Sequence, residues 1–235
     1  EAAEVIAAAL DAADPDFKVA LLNTSVHMRD QALVAAARKL LADQSPAIRS
    51  AAARAVAWTG QIGLLPALGK VFTNAEGDSA FAAADALLRL CDGIAQHGGN
   101  YESVIPVYRE VLSKSDNAVI EATALVGLGT YGDETVIPEI IAAASGAHAA
   151  DLQGPALQAL EQQTGRAAAN ALLAAYSRAD KDMQALLLQM FGRKKDATYL
   201  PALTAGLGAP DAALRNAAVI GLRDSGLPDA AAGST

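Results

Sequence analysis

A nine-residue motif recurs along this chain at nearly constant intervals. Its clearest copies cover residues 48–56 and 214–222, with arginine in the second place and alanine in the fourth and fifth. The equivalent first places are separated by 31, 31, 41, 32, 31 and 31 residues. Such a period is typical of a repeat protein, in which each unit is one supersecondary element that packs on its neighbours. The seven first places are Phe17, Ile48, Ser79, Ile120, Leu152, Met183 and Leu214.

A recurring proline marks the other half of the unit, at Pro66, Pro106, Pro138 and Pro201. Proline is tolerated in the first turn of a helix, so each of these is predicted to open a first helix, and the nine-residue motif to open the second. We therefore predict a single solenoid of about seven helix pairs over residues 1–226. The predicted pairs are 1–30, 31–61, 62–100, 101–133, 134–165, 166–196 and 197–226.

The one long interval between motifs places additional residues after the second helix of the third pair, at 91–100. The glycines in this stretch predict an insertion outside the helices, and they make His97 a loop residue. Residues 227–235 carry no repeat pattern and are predicted to be a C-terminal tail.

Composition agrees with a helical repeat. Alanine accounts for 57 of the 235 residues, whereas aromatic residues account for 4%. Alanine has the highest helix propensity and lets helices approach closely, so the chain is predicted to be all-α and built of thin, stacked helices. Cys91 is the only cysteine, which excludes an internal disulfide and a cysteine-rich metal cluster. No apolar run reaches the roughly 18 residues of a membrane-spanning helix.

These motifs resemble the HEAT repeat family, in particular the short bacterial repeats of the phycobilisome-lyase type. The resemblance rests on the apolar-Arg-x-Ala-Ala element at 48–52 and 214–218, on the helix ending at 128–132, and on the proline-bearing first helices. It implies a right-handed α-solenoid, an α-α superhelix of HEAT-like pairs. In such stacks the second helices line the concave face.

Polar side chains on the second helices are concentrated in two columns. Counted from the first place of the motif as position 0, positions 0, 3, 4, 7 and 8 are mostly apolar or small. Positions 6 and 10 are largely polar and, with position 2, are predicted to face outward. Arginine and tryptophan are common interface anchors, so these columns predict a protein or peptide bound on the concave face. The predicted binding residues are Arg54, Trp58, Asp85, Arg89, Gln158, Gln162, Gln189 and Arg193.

A solvated helix face shows the same polar columns, and that interpretation stays open beside the binding one. Trp58, the only tryptophan, has the same two interpretations. It is either an anchor for a partner or a ring folded onto the next helix pair.

For function we expect a non-enzymatic interaction scaffold without catalytic residues, metal or cofactor. The sequence has no nucleophile elbow and no phosphate-binding glycine loop. Its histidines, at 27, 97 and 148, are far apart, and none precedes glutamate as in HEAT-like iron hydroxylases. Two alternatives remain. One is an enzyme or cofactor-handling protein similar to a bilin lyase or a HEAT-like DNA glycosylase. The other is a structural segment of a longer solenoid.

The charge balance bears on the partner. With 26 acidic and 18 basic residues the net charge is −8, which disfavours nucleic acid because phosphate binding needs a basic surplus. A homo-oligomer or a larger parent chain is a further expectation. Since the first residue is Glu1, we expect an upstream segment to have been removed. A cytoplasmic protein and an exported one with a cleaved signal peptide both agree with that.

Overall fold

The computed structural model describes residues 2–146 and 148–227, so the predicted tail lies, apart from Leu227, outside the described residues. Within these ranges the chain forms fourteen α-helices and no strand. The helices are α1 (Ala2–Ala12), α2 (Pro15–Ser25), α3 (Gln31–Leu40), α4 (Pro46–Ala57), α5 (Leu65–Thr73), α6 (Asp78–Gly98), α7 (Tyr101–Lys114), α8 (Ala118–Tyr131), α9 (Ile137–Ala144), α10 (Ala149–Gln162), α11 (Gly165–Tyr176), α12 (Lys181–Lys194), α13 (Leu200–Leu207) and α14 (Ala212–Ser225).

Tertiary contacts divide the chain into two compact units, with the division between Ala124 and Leu125. In unit 1, helix α4 packs against its partner α3 and against the neighbouring second helices α2 and α6. In unit 2, helix α12 packs in the same way against α11, α10 and α14. The predicted all-α class, built of stacked helix pairs, is confirmed. The assignment of 1–226 to a single solenoid stays a prediction.

Three of the four marker prolines stand at the start of a first helix. Pro66, Pro138 and Pro201 each occupy the second residue of a helix that follows a single 3₁₀ turn. There the missing N–H of proline leaves no hydrogen bond unmade. The prediction is wrong for Pro106, which lies inside α7. That helix begins earlier because the Asn100 side chain caps it, its Oδ1 accepting from the Ser103 N–H at 3.3 Å.

The arginine of the nine-residue motif closes the turn within a pair. Arg49 donates from Nη1 to the carbonyls of Asp43 and Gln44, both at 2.9 Å. Arg215 donates from Nη1 to the equivalent carbonyls in its own pair, at 2.8 Å each. The carbonyls beyond the end of a first helix have no helical partner of their own. The motif arginine therefore satisfies them from the start of the second helix.

Position 4 of the motif is buried in every second helix from α4 to α14. These residues are Ala52, Ala83, Ala124, Ala156, Leu187 and Ala218. The predicted inward columns have several exceptions. Phe17 at position 0 is 52% exposed, and Ala20, Thr24 and Thr123 at positions 3 and 7 are exposed as well. The column at position 2, which is predicted to face outward, also contains one buried residue. Ser50 is buried, and its hydroxyl donates to the Ser79 carbonyl at 3.2 Å, across to the next second helix.

Small residues bring neighbouring second helices into backbone contact. A Cβ atom on Gly192 of α12 would lie 2.5 Å from the Cα of Gly221 on α14. A Cβ on Gly129 of α8 would lie 2.5 Å from the Cα of Ala159 on α10. Because no side chain fits in either space, glycine is required there for the pairs to stack as closely as they do.

Side chains at the ends of second helices bond to the preceding second helix in unit 2. Gln163, just after α10, donates from Nε2 to the carbonyls of Gly129 and Gly132 at 2.8 and 3.0 Å. Lys194, at the end of α12, donates from Nζ to the carbonyls of Glu161 and Gln163 at 3.0 and 2.6 Å. Each helix end is thus capped from the next pair, and the three second helices are held in one register.

The prediction that residues 91–100 form a loop is wrong. Residues 91–98 are helical and extend α6 to Gly98. The apolar spacing continues past the end of the motif, and the residues that carry it are all buried; they are Leu90, Cys91, Ile94 and Ala95. The helix ends where Gly99 adopts a left-handed conformation, with φ of 61°. The additional turns are therefore stabilised by apolar burial despite their glycines.

The extended part of α6 is joined to α7 by a carboxylate. The Tyr108 hydroxyl, which is buried, donates to Oδ1 of Asp92 at 2.5 Å. Desolvation raises the pKa of Asp92 and outweighs the hydrogen bond from Tyr108 and the charge of Arg89, which both lower it. Burial likewise raises the pKa of the Cys91 thiol to about 12.

Replacing Gly192 tests the close contact of second helices. We expect Gly192→Ala to lower the free energy of unfolding by about 1–3 kcal/mol, because the added methyl meets the backbone of Gly221. The matched control is Gly69→Ala in the middle of α5, where an added Cβ would have no tertiary neighbour within 4 Å. Alanine there should raise the free energy by up to ~1 kcal/mol through helix propensity. Urea titrations followed by circular dichroism give both values, and equal effects would contradict the contact.

Replacing Asp92 tests the direction of its pKa. A carboxyl with a raised pKa binds more protons in the folded state, so ionisation of Asp92 destabilises the fold as pH rises above the ordinary value of 3.8. Asp92→Asn keeps an acceptor for Tyr108 and carries no charge. We expect its stability relative to the wild type to increase from below pH 3.8 to neutral pH. Asp116→Asn, at an exposed turn residue, is the control, and a flat difference for Asp92→Asn would contradict the assignment.

Candidate functional site

A groove of about 820 Å³ lies on the second helices of unit 1. It is formed by the end of α2 with the turn after it, by the last turn of α4, and by the middle and extended part of α6. We call it the second-helix groove. Its lining comprises Asn23, Val26, His27, Arg29, Arg54, Ala57, Trp58, Asp85, Arg89, Asp92, Gly93, Gln96 and His97.

All four predicted binding residues of unit 1 lie in this groove. Arg54 and Trp58 are one turn apart at the end of α4, and Asp85 and Arg89 are one turn apart on α6. Residues four apart share one face of a helix, and the packing of α4 on α6 brings the two faces together. The outward columns at positions 6 and 10 therefore produce one concave surface here.

Trp58 is half-buried and stands directly after the last residue of α4. The ring is thus neither enclosed in the core nor fully in solvent. A half-buried aromatic side chain in a groove offers a large apolar contact area, with an indole N–H as hydrogen-bond donor. Since it is the only tryptophan, its fluorescence reports on this groove alone.

The two carboxylates of the groove have partners within the protein. Oδ2 of Asp85 accepts from Nε of Arg89 at 2.8 Å, which raises the pKa of the arginine. Asp92 accepts from Tyr108, as described above. Each of the two carboxylates therefore already accepts a hydrogen bond from within the protein.

The other polar groups of the groove are less satisfied. Arg54 is half-buried and makes no hydrogen bond or ion pair with a described residue. Oδ1 of Asn23 is a buried acceptor, also without a partner among the described residues. His97, which the helix places at the rim, has Nδ1 2.7 Å from the carbonyl of Gly93.

The predicted binding residues of unit 2 lie on α10 and α12. Gln158, Gln162 and Arg193 are exposed and Gln189 is half-buried. Arg193 is engaged within the protein, since its Nε and Nη2 lie 2.7 and 2.6 Å from Oε1 of Glu161. These four positions face outward as predicted, while their role in binding stays a prediction.

The sequence columns left out part of the groove. Asp92, Gln96 and His97 enter it because α6 continues beyond Arg89, and Arg29 enters from the turn after α2. The signal for the first three was present in the apolar spacing of residues 90–95, which continues the period of α6. No comparable signal marked Arg29, whose position depends on a positive φ of 48°.

Two further grooves of unit 1 lie away from these residues. One, of about 740 Å³, is lined in part by Arg38, Arg49 and Lys70. In this groove Arg49 already donates hydrogen bonds to the turn carbonyls. The other, of about 330 Å³, lies where α5 and α6 meet the turn before α8. The described residues include no cluster of three or more histidine, cysteine or carboxylate side chains suited to a metal ion. Among the described helices none is long and apolar enough to cross a membrane.

Two solved structures align with most of the chain. An engineered protein matches with a TM-score of 0.54 and 18% identity, over 96% of this chain and 68% of the other. Human deoxyhypusine hydroxylase, solved in complex with glycerol, matches with a TM-score of 0.40 and 22% identity, over 95% and 84% of the two chains. At 18% identity, the similarity to the engineered protein concerns the fold alone. No curated protein sequence matches this chain.

The family model of HEAT repeats matches residues 2–89. This range covers α1 to α5 and the first half of α6, and it contains all four predicted binding residues of unit 1. The narrower resemblance to repeats of the phycobilisome-lyase type stays a prediction. The predicted resemblance to HEAT repeats is therefore confirmed over residues 2–89.

Proposed function

We propose that this protein is a non-enzymatic scaffold that binds an extended polypeptide segment in the second-helix groove. The observation that carries the proposal is the convergence of Arg54, Trp58, Asp85 and Arg89 in one groove of about 820 Å³. Tryptophan and arginine are the residues most often found as anchors of protein interfaces. A concave site with one aromatic and several charged side chains can contact the apolar and charged side chains of a bound polypeptide.

The state of the carboxylates favours binding over acid-base chemistry. Asp85 is paired with Arg89, and Asp92 accepts from Tyr108. The lining contains no serine, threonine, cysteine or lysine that could act as a nucleophile. These features support a scaffold more than a bilin lyase-like or glycosylase-like enzyme.

Peptide selection tests the proposal. A library of random peptides of about 12 residues, which span ~40 Å when extended, is selected on the immobilised full chain. Selected peptides are synthesised with a fluorescein label, and their affinity is measured by anisotropy. Binding should also change the emission of Trp58 in the unlabelled version of the assay.

We expect joint replacement of Arg54, Trp58, Asp85 and Arg89 by alanine to weaken binding by more than ~100-fold, since interface anchors contribute about 2 kcal/mol each. Helical content should be unchanged, because these side chains lie outside the core. The matched variant replaces Gln158, Gln162, Gln189 and Arg193 by alanine and shows whether the outward column of unit 2 takes part. Selection of no peptide, or selection that is indifferent to the unit 1 replacements, would overturn the proposed groove.

A further inference from the structure

The charges of the second-helix groove are not balanced, although the chain as a whole is acidic. Three arginines and two aspartates line it, whereas the net charge of the chain is −8. Arg89 pairs with Asp85, whereas the hydrogen bond from the neutral Tyr108 hydroxyl leaves the charge of Asp92 in place. Counted over these three arginines and two aspartates, the groove has a net positive charge.

Arg54 carries that charge in the middle of the groove. It is half-buried, and none of its donors reaches a described residue. Its place in the last turn of α4 makes a lone cation tolerable, because the helix dipole is negative at that end. A guanidinium has five donors in a planar fork that matches a carboxylate. A carboxylate that enters the groove would therefore gain a partner without displacing an existing one.

Arg29 adds a second cation at the rim. It is exposed, with a left-handed backbone at φ of 48°, and it makes no ion pair with a described residue. The groove thus offers an inner guanidinium at Arg54 and an outer one at Arg29. A segment with more than one acidic residue fits this arrangement better than a single isolated carboxylate.

Two further groups favour a polypeptide over a nucleic acid. Oδ1 of Asn23 is a buried acceptor in the lining without a partner among the described residues, and a peptide N–H is a donor that a phosphate backbone lacks. Trp58, four residues after Arg54, places an aromatic surface beside the cation. The negative charge of the rest of the chain repels a nucleic acid, with one charge per phosphate, more strongly than a short peptide with a few carboxylates.

We propose that the segment bound in the second-helix groove is acidic, and that a side-chain carboxylate of Asp or Glu in it pairs with Arg54 beside Trp58. This inference rests on the proposed function and specifies the chemistry of the ligand.

The test uses the peptides selected on the full chain. Enriched sequences should contain Asp or Glu beside an apolar or aromatic residue. Replacing the acidic residue of such a peptide by its amide should weaken binding at least ~10-fold on the wild type and by much less on Arg54→Ala, because the lost interaction is already absent there. Affinity for the acidic peptide should fall as sodium chloride is raised.

Three variants complete the design. Arg54→Glu should shift the selection toward basic peptides, and Arg54→Gln gives a milder change at the same position if the charge reversal disturbs folding. Arg38→Ala removes an exposed cation from the last turn of α3, outside the groove, and should leave affinity unchanged. Circular dichroism confirms that each variant is folded.

The outcomes separate this inference from the proposed function. Neutral or basic peptides whose binding is still lost in Trp58→Ala would overturn the acidic ligand and keep the groove. Peptides that bind Trp58→Ala as well as the wild type would overturn the groove itself. A single-stranded oligonucleotide that binds more tightly than the peptides, and does so through Arg54, would overturn the choice of a polypeptide.

Discussion

Backbone contact between neighbouring second helices is the constraint on which the stacking of unit 2 depends. At Gly192 and Gly221, and again at Gly129 and Ala159, the main chains are so close that no larger side chain fits. The abundance of alanine follows from this contact, because alanine fills the inward columns without separating the helices. Alanine and glycine predominate at positions 4 and 7, although Leu187 and Met190 are buried there as well, and the polar side chains lie mainly on the outward columns.

Polar groups fix the ends of the helices while small residues set their spacing. The motif arginines at 49 and 215 satisfy carbonyls within a pair, whereas Gln163 and Lys194 satisfy carbonyls of the preceding second helix. A helix has little freedom to rotate when small residues in its middle contact the neighbouring backbone and a side chain of the next pair caps its end. In unit 1 the columns at positions 6 and 10 of α4 and α6 place Arg54 and Asp85 in one groove.

The family likeness and the groove occupy the same part of the chain. HEAT repeats are identified over residues 2–89, and the groove begins in α2 and reaches the part of α6 that lies beyond this range. The additional turns of α6 add Asp92 and Gln96 to a surface that the repeat pattern alone would end at Arg89. The departure from the repeat thus enlarges and encloses the groove, and it provides the contact between Asp92 and Tyr108 that ties α6 to α7.

By itself the sequence determined the helix pairs, their period and the direction of the outward columns, because burial and helix periodicity act locally and leave a pattern in each repeat. The sequence-based prediction failed at Pro106, because the Asn100 cap starts α7 earlier than the proline indicates. It also failed at residues 91–98, because their apolar spacing continues α6 despite the glycines. Only the tertiary structure decided which outward residues meet. Arg193 has Glu161 as a partner while Arg54 has none among the described residues, although both stand in outward columns of second helices. That difference depends on what the neighbouring helix presents across the contact, and no single repeat encodes it.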